Sequence, residues 1–171
     1  RLRNRFERLS KEFDVHEGIK IPIGDYNFTT IGPTMFSNQG RRISGSLSLE
    51  IGQFFDGTRK RFSGRSELKV TNQFTIESRY ERNHVSLPAG EFLTNQVTNR
   101  FLYSFSPDLF VRALVQWNSK REVVGSNFLL NYRYTPGSDI FVVYNHAWDT
   151  TDGLHQNTRS GQLKIAYFWK L

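Results

Sequence analysis

Apolar and polar side chains alternate along most of the chain after residue 25. The final stretch, GQLKIAYFWKL, shows the pattern clearly, since Leu163, Ile165 and Tyr167 alternate with small or charged residues. A period of two places successive side chains on opposite faces of a β-strand. No stretch has a sustained apolar period of 3.6, so the pattern predicts an all-β protein.

The alternating stretches predict about nine strands, separated by turn residues. They cover 26–37, 41–55, 58–71, 73–84, 92–106, 109–119, 126–135, 139–149 and 161–171. Most have roughly ten residues, whereas strands of soluble proteins usually have about five or six. Tilted strands of about nine to eleven residues cross a bilayer. We therefore expect residues 1–25 to be the end of a preceding strand and a connecting loop. Residues 26–171 should form part of an antiparallel up-and-down transmembrane β-barrel that ends in the closing strand.

Three turn sequences predict how neighbouring strands pair. Asp56-Gly57 favours a two-residue hairpin loop, whereas Thr71-Asn72-Gln73 and Pro136-Gly137-Ser138 fit three-residue turns. The first turn would pair Phe55 with Thr58, Ile51 with Phe62, Leu49 with Gly64 and Ile43 with Val70. The second would pair Val70 with Phe74, Leu68 with Ile76 and Gly64 with Tyr80. The third would pair Tyr134 with Ile140 and Tyr132 with Val142. Each turn then places apolar residues on one face of the sheet and polar residues on the other.

The connections between the predicted strands alternate in length. Counted back from the C-terminus they are 149–159, 135–138, 119–125, 106–108, 84–91 and 71–73, which are long and short in turn. Outer-membrane barrels have short periplasmic turns and longer external loops. The alternation therefore favours a barrel, with the C-terminus on the periplasmic side and the tight Asp56-Gly57 turn as an exception.

The two faces of the predicted sheet supply two sets of candidate residues. The candidate lumen-lining residues are polar or charged: Glu50, Arg61, Arg65, Glu67, Lys69, Glu77, Arg79, Glu81, Arg100, Arg112, Arg133 and Lys164. The candidate lipid-facing or interfacial girdle residues are apolar or aromatic: Leu49, Leu68, Tyr132, Tyr134, Trp148, Tyr167 and Trp169. We expect the charged residues between 61 and 81 to form a mixed-charge strip, with Arg65 attracting Glu77 and Glu67 attracting Arg79 across diagonals.

Charge does not favour a nucleic-acid partner. The 171 residues carry a net charge of +7, from 23 basic and 16 acidic residues. The basic residues are dispersed along the chain, whereas nucleic-acid-binding proteins concentrate them in a patch or stripe.

Catalytic chemistry has little support in the sequence. Cysteine is absent, and the four histidines have no spacing typical of metal ligands. Neither a GxSxG nucleophile motif nor a phosphate-binding GxxxxGK[ST] motif occurs. Glu77 and Glu81 resemble a glycosidase pair, but interleaved arginines favour a salt-bridge ladder. We expect no catalytic residues, no metal site and no cofactor.

Several segments resemble one bacterial family. RFLYSFSPDLFVRALVQWNSKREVVGSNFLLNYRYTPGSDIFVVYNHAWDT, from Arg100 to Thr150, is similar to the C-terminal region of the DUF5916 family of outer-membrane proteins, as are IPIGDYNFTTIG, FFDGTRKRFSGRSELKV and YERNHVSLPAGEFLTNQV. Members have an N-terminal domain like carbohydrate-binding family 9 followed by a large barrel. The resemblance implies that this chain is the end of that barrel, and that any sugar site lies in the N-terminal portion.

These observations lead to one main expectation and two alternatives. The main one is a non-enzymatic segment of a β-barrel in the bacterial outer membrane, acting as a channel, anchor or scaffold. Its expected partners are the lipid bilayer, the barrel-assembly machinery, and the remaining N-terminal part of the protein or partner chains. The stretch GQLKIAYFWKL resembles the C-terminal signal that the barrel-assembly machinery recognises. The alternatives are a soluble β-sheet module that binds carbohydrate and a barrel enzyme with a carboxylate site.

Overall fold

The computed structural model describes residues 2–169, which form thirteen β-strands. The strands are β1 (Leu2–Leu9), β2 (Phe13–His16), β3 (Ile19–Ile21), β4 (Gly24–Ile31), β5 (Thr34–Phe36), β6 (Ile43–Phe54), β7 (Gly57–Lys69), β8 (Phe74–Leu87), β9 (Gly90–Ser106), β10 (Leu109–Asn118), β11 (Val123–Thr135), β12 (Ser138–Asp149) and β13 (His155–Ala166). No α-helix occurs in this part of the chain, which confirms the all-β prediction. Accordingly, residues 2–169 contain no helix of the length and apolarity that crossing a bilayer requires.

Eleven of the strands form one antiparallel sheet. Its order is β1-β4-β6-β7-β8-β9-β10-β11-β12-β13, and β5 also pairs with β6. From β6 onward each strand pairs with the next one in sequence, so the up-and-down order predicted from the turns is confirmed. Within residues 2–169, β1 and β13 do not pair with each other, and the sheet is open.

Before β4 the chain forms one strand of the main sheet and a small separate hairpin. β1 pairs with β4 along its whole length, from Leu2 opposite Ile31 to Leu9 opposite Gly24. The segment that joins them contains β2 and β3, which pair with each other as a small hairpin. The main sheet therefore begins with β1, and the connection after β1 contains the β2–β3 hairpin. Arg1 lies outside the described residues.

Several predicted strands have different limits in the structure. The stretch 26–37 is divided into β4 and β5 at Gly32-Pro33, where a Cβ on Gly32 would lie 1.7 Å from the backbone oxygen of Leu49. Strand β13 ends at Ala166 rather than at residue 171, because its partner β12 begins at Ser138, whose hydroxyl accepts the Phe168 N–H at 3.0 Å. Lys170 and Leu171 lie outside the described residues.

The three predicted turns differ in outcome. The 71–73 turn is confirmed, with Leu68 opposite Ile76 and Gly64 opposite Tyr80. The registers predicted from the other two turns were wrong by two residues. A shift by an even number leaves each side chain on its predicted face of the sheet. Leu49 lies opposite Phe62, because the first hairpin loop is Phe55-Asp56, and Tyr132 lies opposite Ile140, because the third turn is Pro136-Gly137 with a bulge at Tyr134.

The predicted alternation of loop lengths holds for the last four connections and fails before them. One end of the sheet, here called the loop end, holds the connections 10–23, 55–56, 88–89, 119–122 and 150–154; the other, the turn end, holds 37–42, 70–73, 107–108 and 136–137. The expected loop 84–91 is a two-residue turn, since β8 continues to Leu87 and β9 starts at Gly90. Both ends therefore contain short connections, and connection length does not distinguish them.

The apolar core lies at the loop end. It joins Val15, Ile19 and Ile21 of the β2–β3 hairpin to Val85 and Leu87 of β8. Partly buried hydrophobic residues pack against it: Leu9, Tyr26, Phe54, Phe55 and Phe92. These residues come from strands as far apart as β1 and β9, so the hairpin ties the loop end of the sheet together.

Candidate functional site: the charged face of the sheet

Strand pairing places all twelve candidate lumen residues on one face of the sheet. Glu50 lies opposite Arg61, Arg65 opposite Arg79, and Glu77 opposite both Glu67 and Arg100. The same face continues across the later strands and includes Arg112, Arg133 and Lys164. We call it the charged face. Whether it lines a lumen stays a prediction.

The centre of the charged face is organised around Glu77. Its Oε2 accepts hydrogen bonds from Nη2 of Arg65 at 3.3 Å and from Nη1 of Arg100 at 3.2 Å. The predicted diagonal between Arg65 and Glu77 is therefore present. The predicted contact between Glu67 and Arg79 is absent, because Glu67 instead pairs with Lys69, its neighbour on the same face of β7, at 3.7 Å.

A second group of ion pairs lies nearer the loop end. Arg61 donates to Glu81 at 2.7 Å, and Arg59 donates to Glu50 at 3.1 Å. Asn83 adds a hydrogen bond to the other oxygen of Glu81 at 3.0 Å. The Nε atom of Arg61 is buried without a hydrogen-bond partner among the described residues. Such pairs hold the charged side chains in place without a substrate.

Uncharged polar groups continue the charged face across β9 to β13. Asn127 donates to the Asn145 side chain at 2.6 Å, and Asn145 donates to the Ser160 hydroxyl at 3.2 Å. Arg112 and Lys164 lie nearer the turn end and contact aromatic rings, Arg112 that of Phe110 and Lys164 that of Phe141. Arg133 pairs with Asp139 at 3.7 Å.

The hairpin covers the loop end of the charged face. Val85 and Leu87 follow Glu81 and Asn83 on the same side of β8, and Phe92 lies opposite Val85. The Lys120 ammonium also donates to the backbone oxygen of Val15 at 2.8 Å, which links the hairpin to the 119–122 connection. Sequence reasoning missed this arrangement. The signal was the change from charged to apolar residues at odd positions in the stretch ERNHVSL.

The opposite face of the sheet is apolar over most of its height. It carries large hydrophobic side chains that nothing covers in the described part of the chain, among them Ile43, Leu47, Leu49, Ile51, Phe62, Tyr103, Phe128, Val142, Leu163 and Ile165. We call this the apolar face. Its charged side chains within the described strands of the main sheet are Arg8, Asp25, Lys60, Arg82, His84, Glu91 and Arg159, which all lie toward the loop end.

Most of the candidate girdle residues lie on the apolar face. Leu49, Leu68, Tyr132 and Trp148 are placed there by strand pairing. Tyr134 lies at the bulge of β11. Tyr167 and Trp169 follow the end of β13 instead of extending it, with their rings 5.9 Å apart and largely exposed.

Trp148, one of the candidate girdle residues, belongs to an aromatic group that was not predicted as a group. The rings of His146 and Trp148 stack at 3.9 Å, and the Tyr144 hydroxyl lies 3.2 Å from Nδ1 of His146. The three residues occupy alternate positions of β12, so their period of two was the available signal. Nε2 of His146 is buried without a hydrogen-bond partner among the described residues.

Metal-binding chemistry finds no support in the described residues, since residues 2–169 contain no group of three or more acidic, histidine or cysteine side chains placed to hold an ion. Comparison with known proteins adds no assignment. No model of a known protein family matches the chain, and no curated protein sequence matches it.

Proposed function

We propose that this chain is a segment of a β-barrel in the bacterial outer membrane, with the apolar face toward lipid and the charged face toward the interior. In this proposal the segment is not an enzyme and acts as a channel, anchor or scaffold. The bilayer is its main partner, and the barrel-assembly machinery inserts it. Other parts of the same protein or partner chains complete the wall of the barrel.

The distribution of charge over the two faces carries the proposal. Ion pairs crowd the charged face, whereas the apolar face has no charged residue between the turn end and the row of charges near the loop end. On β6 the apolar stretch runs from Ile43 to Ile51, about 27 Å along a strand with a rise near 3.4 Å per residue. Transmembrane barrels have an outward apolar band about 25 Å tall.

The apolar band crosses the strands obliquely. On β8 it runs from Phe74 to Tyr80, and the first charge beyond it is Arg82. When the paired residues are followed from strand to strand, Phe74 of β8 is level with Leu163 of β13. Strand β13 continues beyond Leu163 to Ala166, toward the turn end. By the same pairing, the first charge of β13, Arg159, is level with Ser78 of β8, which is nearer the turn end than Arg82. Both edges of the band thus shift toward the turn end, as they do where strands tilt relative to a membrane.

The charged face is compatible with the inside of a barrel, because transmembrane barrels have polar interiors. The hairpin that covers the loop end of this face would narrow the interior there. The resemblance to the DUF5916 family agrees with the proposal, and under it any sugar-binding site belongs to another domain.

Cell fractionation of the natural protein tests the proposal. The protein is expected to sediment with the outer membrane, to resist extraction at alkaline pH and to enter solution only with detergent. Recovery of a folded, monodisperse protein in buffer without detergent would contradict the proposal and favour the soluble carbohydrate-binding module.

A further inference from the structure

Three arginines line one cavity at the centre of the charged face. Arg65 of β7, Arg79 of β8 and Arg100 of β9 border a cavity of about 340 Å³. Arg65 lies directly opposite Arg79, and Arg100 lies opposite Glu77, the residue that precedes Arg79 on the same face of β8. Strand pairing therefore brings three guanidinium groups to one place.

The carboxylates of the cavity do not balance these cations. Glu77 is shared between Arg65 and Arg100 through a single oxygen atom. Glu81 also borders the cavity, but Arg61 and Asn83 already occupy its two oxygens. Arg79 makes no ion pair with any described residue. Like charges directly opposite on neighbouring strands destabilise a sheet, so the Arg65–Arg79 pair favours an anion from solution.

Neutral polar groups complete the lining of the cavity. Thr98 lies opposite Arg79, and Gln116 lies opposite Thr98 on the next strand. Gln96 also borders the cavity. Amide and hydroxyl groups such as these donate hydrogen bonds to the oxygens of an anion and to the hydroxyls of the molecule that carries it.

We propose that Arg65, Arg79 and Arg100 bind the phosphate group of a small soluble molecule, with Arg79 as the principal ligand. Guanidinium groups match phosphate oxygens in geometry and remain charged at every physiological pH. A phosphate monoester has three free oxygens, enough for three arginines, and about 1.5 to 2 negative charges at neutral pH. A carboxylate has only two oxygens and one negative charge. Glu77 already supplies one carboxylate to Arg65 and Arg100.

This inference goes beyond the proposed function, because it requires only that the charged face is open to solvent. Membrane association and phosphate binding have separate measurements. The protein is purified in detergent micelles, or in plain buffer if fractionation shows that it is soluble. Either preparation allows the binding test.

The test follows inorganic phosphate by ³¹P nuclear magnetic resonance as protein is added at constant ionic strength. The natural protein is expected to broaden the signal saturably. Arg79→Gln should bind at least about tenfold more weakly, since it removes hydrogen bonds between charged groups. Arg79→Lys keeps the charge and loses the planar guanidinium group, so it should bind phosphate with intermediate affinity. This variant also tests the proposal if Arg79→Gln does not fold.

Arg82→Gln provides the matched control. Arg82 is also an exposed arginine of β8 without an ion pair among the described residues, but it lies on the apolar face. Its replacement removes the same charge and should leave phosphate binding unchanged. The proposal is overturned if the natural protein shows no saturable binding, if Arg79→Gln binds normally, or if Arg79→Gln and Arg82→Gln lose binding equally.

Discussion

Leu49 lies directly opposite Phe62 across the β6–β7 pair, and both side chains belong to the apolar face, where they are 49% and 36% exposed. Ser63, the next residue of β7, lies on the charged face opposite Glu81. The two faces of one hairpin thus present contrasting environments at the same height.

Leu49→Arg is expected to destabilise the protein by about 2 to 4 kcal/mol, the usual cost of a lipid-facing charge near the middle of a bilayer. Ser63→Arg places the same side chain opposite a carboxylate and should be much milder. Unfolding of both variants by denaturant in lipid vesicles measures the difference. Equal tolerance of the two arginines would contradict a membrane location for the apolar face.

Gly57 occupies the start of β7 at a close approach of two strands. A Cβ at this position would lie 2.1 Å from the backbone oxygen of Ser86, whereas a Cβ on Gly125 of β11 meets no atom within 4 Å. Gly57→Ala should therefore cost about 1 to 3 kcal/mol, since the β7–β8 backbone must shift. Gly125→Ala should stay within about 0.5 kcal/mol of the natural protein. If the order of the two free energies of unfolding is reversed, the β7–β8 register at the loop end is wrong.

The faces of the sheet could be predicted from sequence because they depend only on the period of two. Turn register was harder. Phe55 adopts a positive φ of 51°, a conformation that residues other than glycine seldom take, and its ring packs edge-on against Phe54 at 4.8 Å and Tyr26 at 5.0 Å. Tertiary packing therefore selects Phe55-Asp56 as the loop over the Asp56-Gly57 pair that local preference favours.

The hairpin could not be predicted from local pattern. Strands β2 and β3 have four and three residues, too few to show a period. Their stability comes from burial against β8, a contact between residues distant in sequence. The partner of Glu67 was equally inaccessible, because Lys69 and Arg79 are both close to its carboxylate in the paired strands and side-chain geometry decides between them.

Neutralising Glu77 and Glu81 together should make the interior of an open barrel more positive. Both carboxylates lie on the charged face, where arginines surround them. We expect Glu77→Gln with Glu81→Gln to shift the reversal potential toward anion selectivity in planar bilayers. Glu91→Gln removes a carboxylate from the opposite face of the sheet and should leave selectivity unchanged. Unchanged selectivity of the double variant would exclude these residues from the conducting path, and a natural protein without conductance would exclude the channel role in favour of an anchor.

The β2–β3 hairpin offers two isoleucines with contrasting environments. Ile21 is completely buried in the core, whereas Ile23, just beyond the hairpin, is 63% exposed. Ile21→Ala should cost about 2 to 5 kcal/mol, since it leaves a cavity in the contact with β8. Ile23→Ala should change the free energy of unfolding by less than about 0.5 kcal/mol. Because the hairpin is held mainly by this core, Ile21→Ala should also accelerate cleavage by trypsin after Lys20. The rate is measured by digesting the folded protein and following the fragments by gel electrophoresis. Equal stability and equal cleavage of the two variants would show that the hairpin does not pack on the charged face.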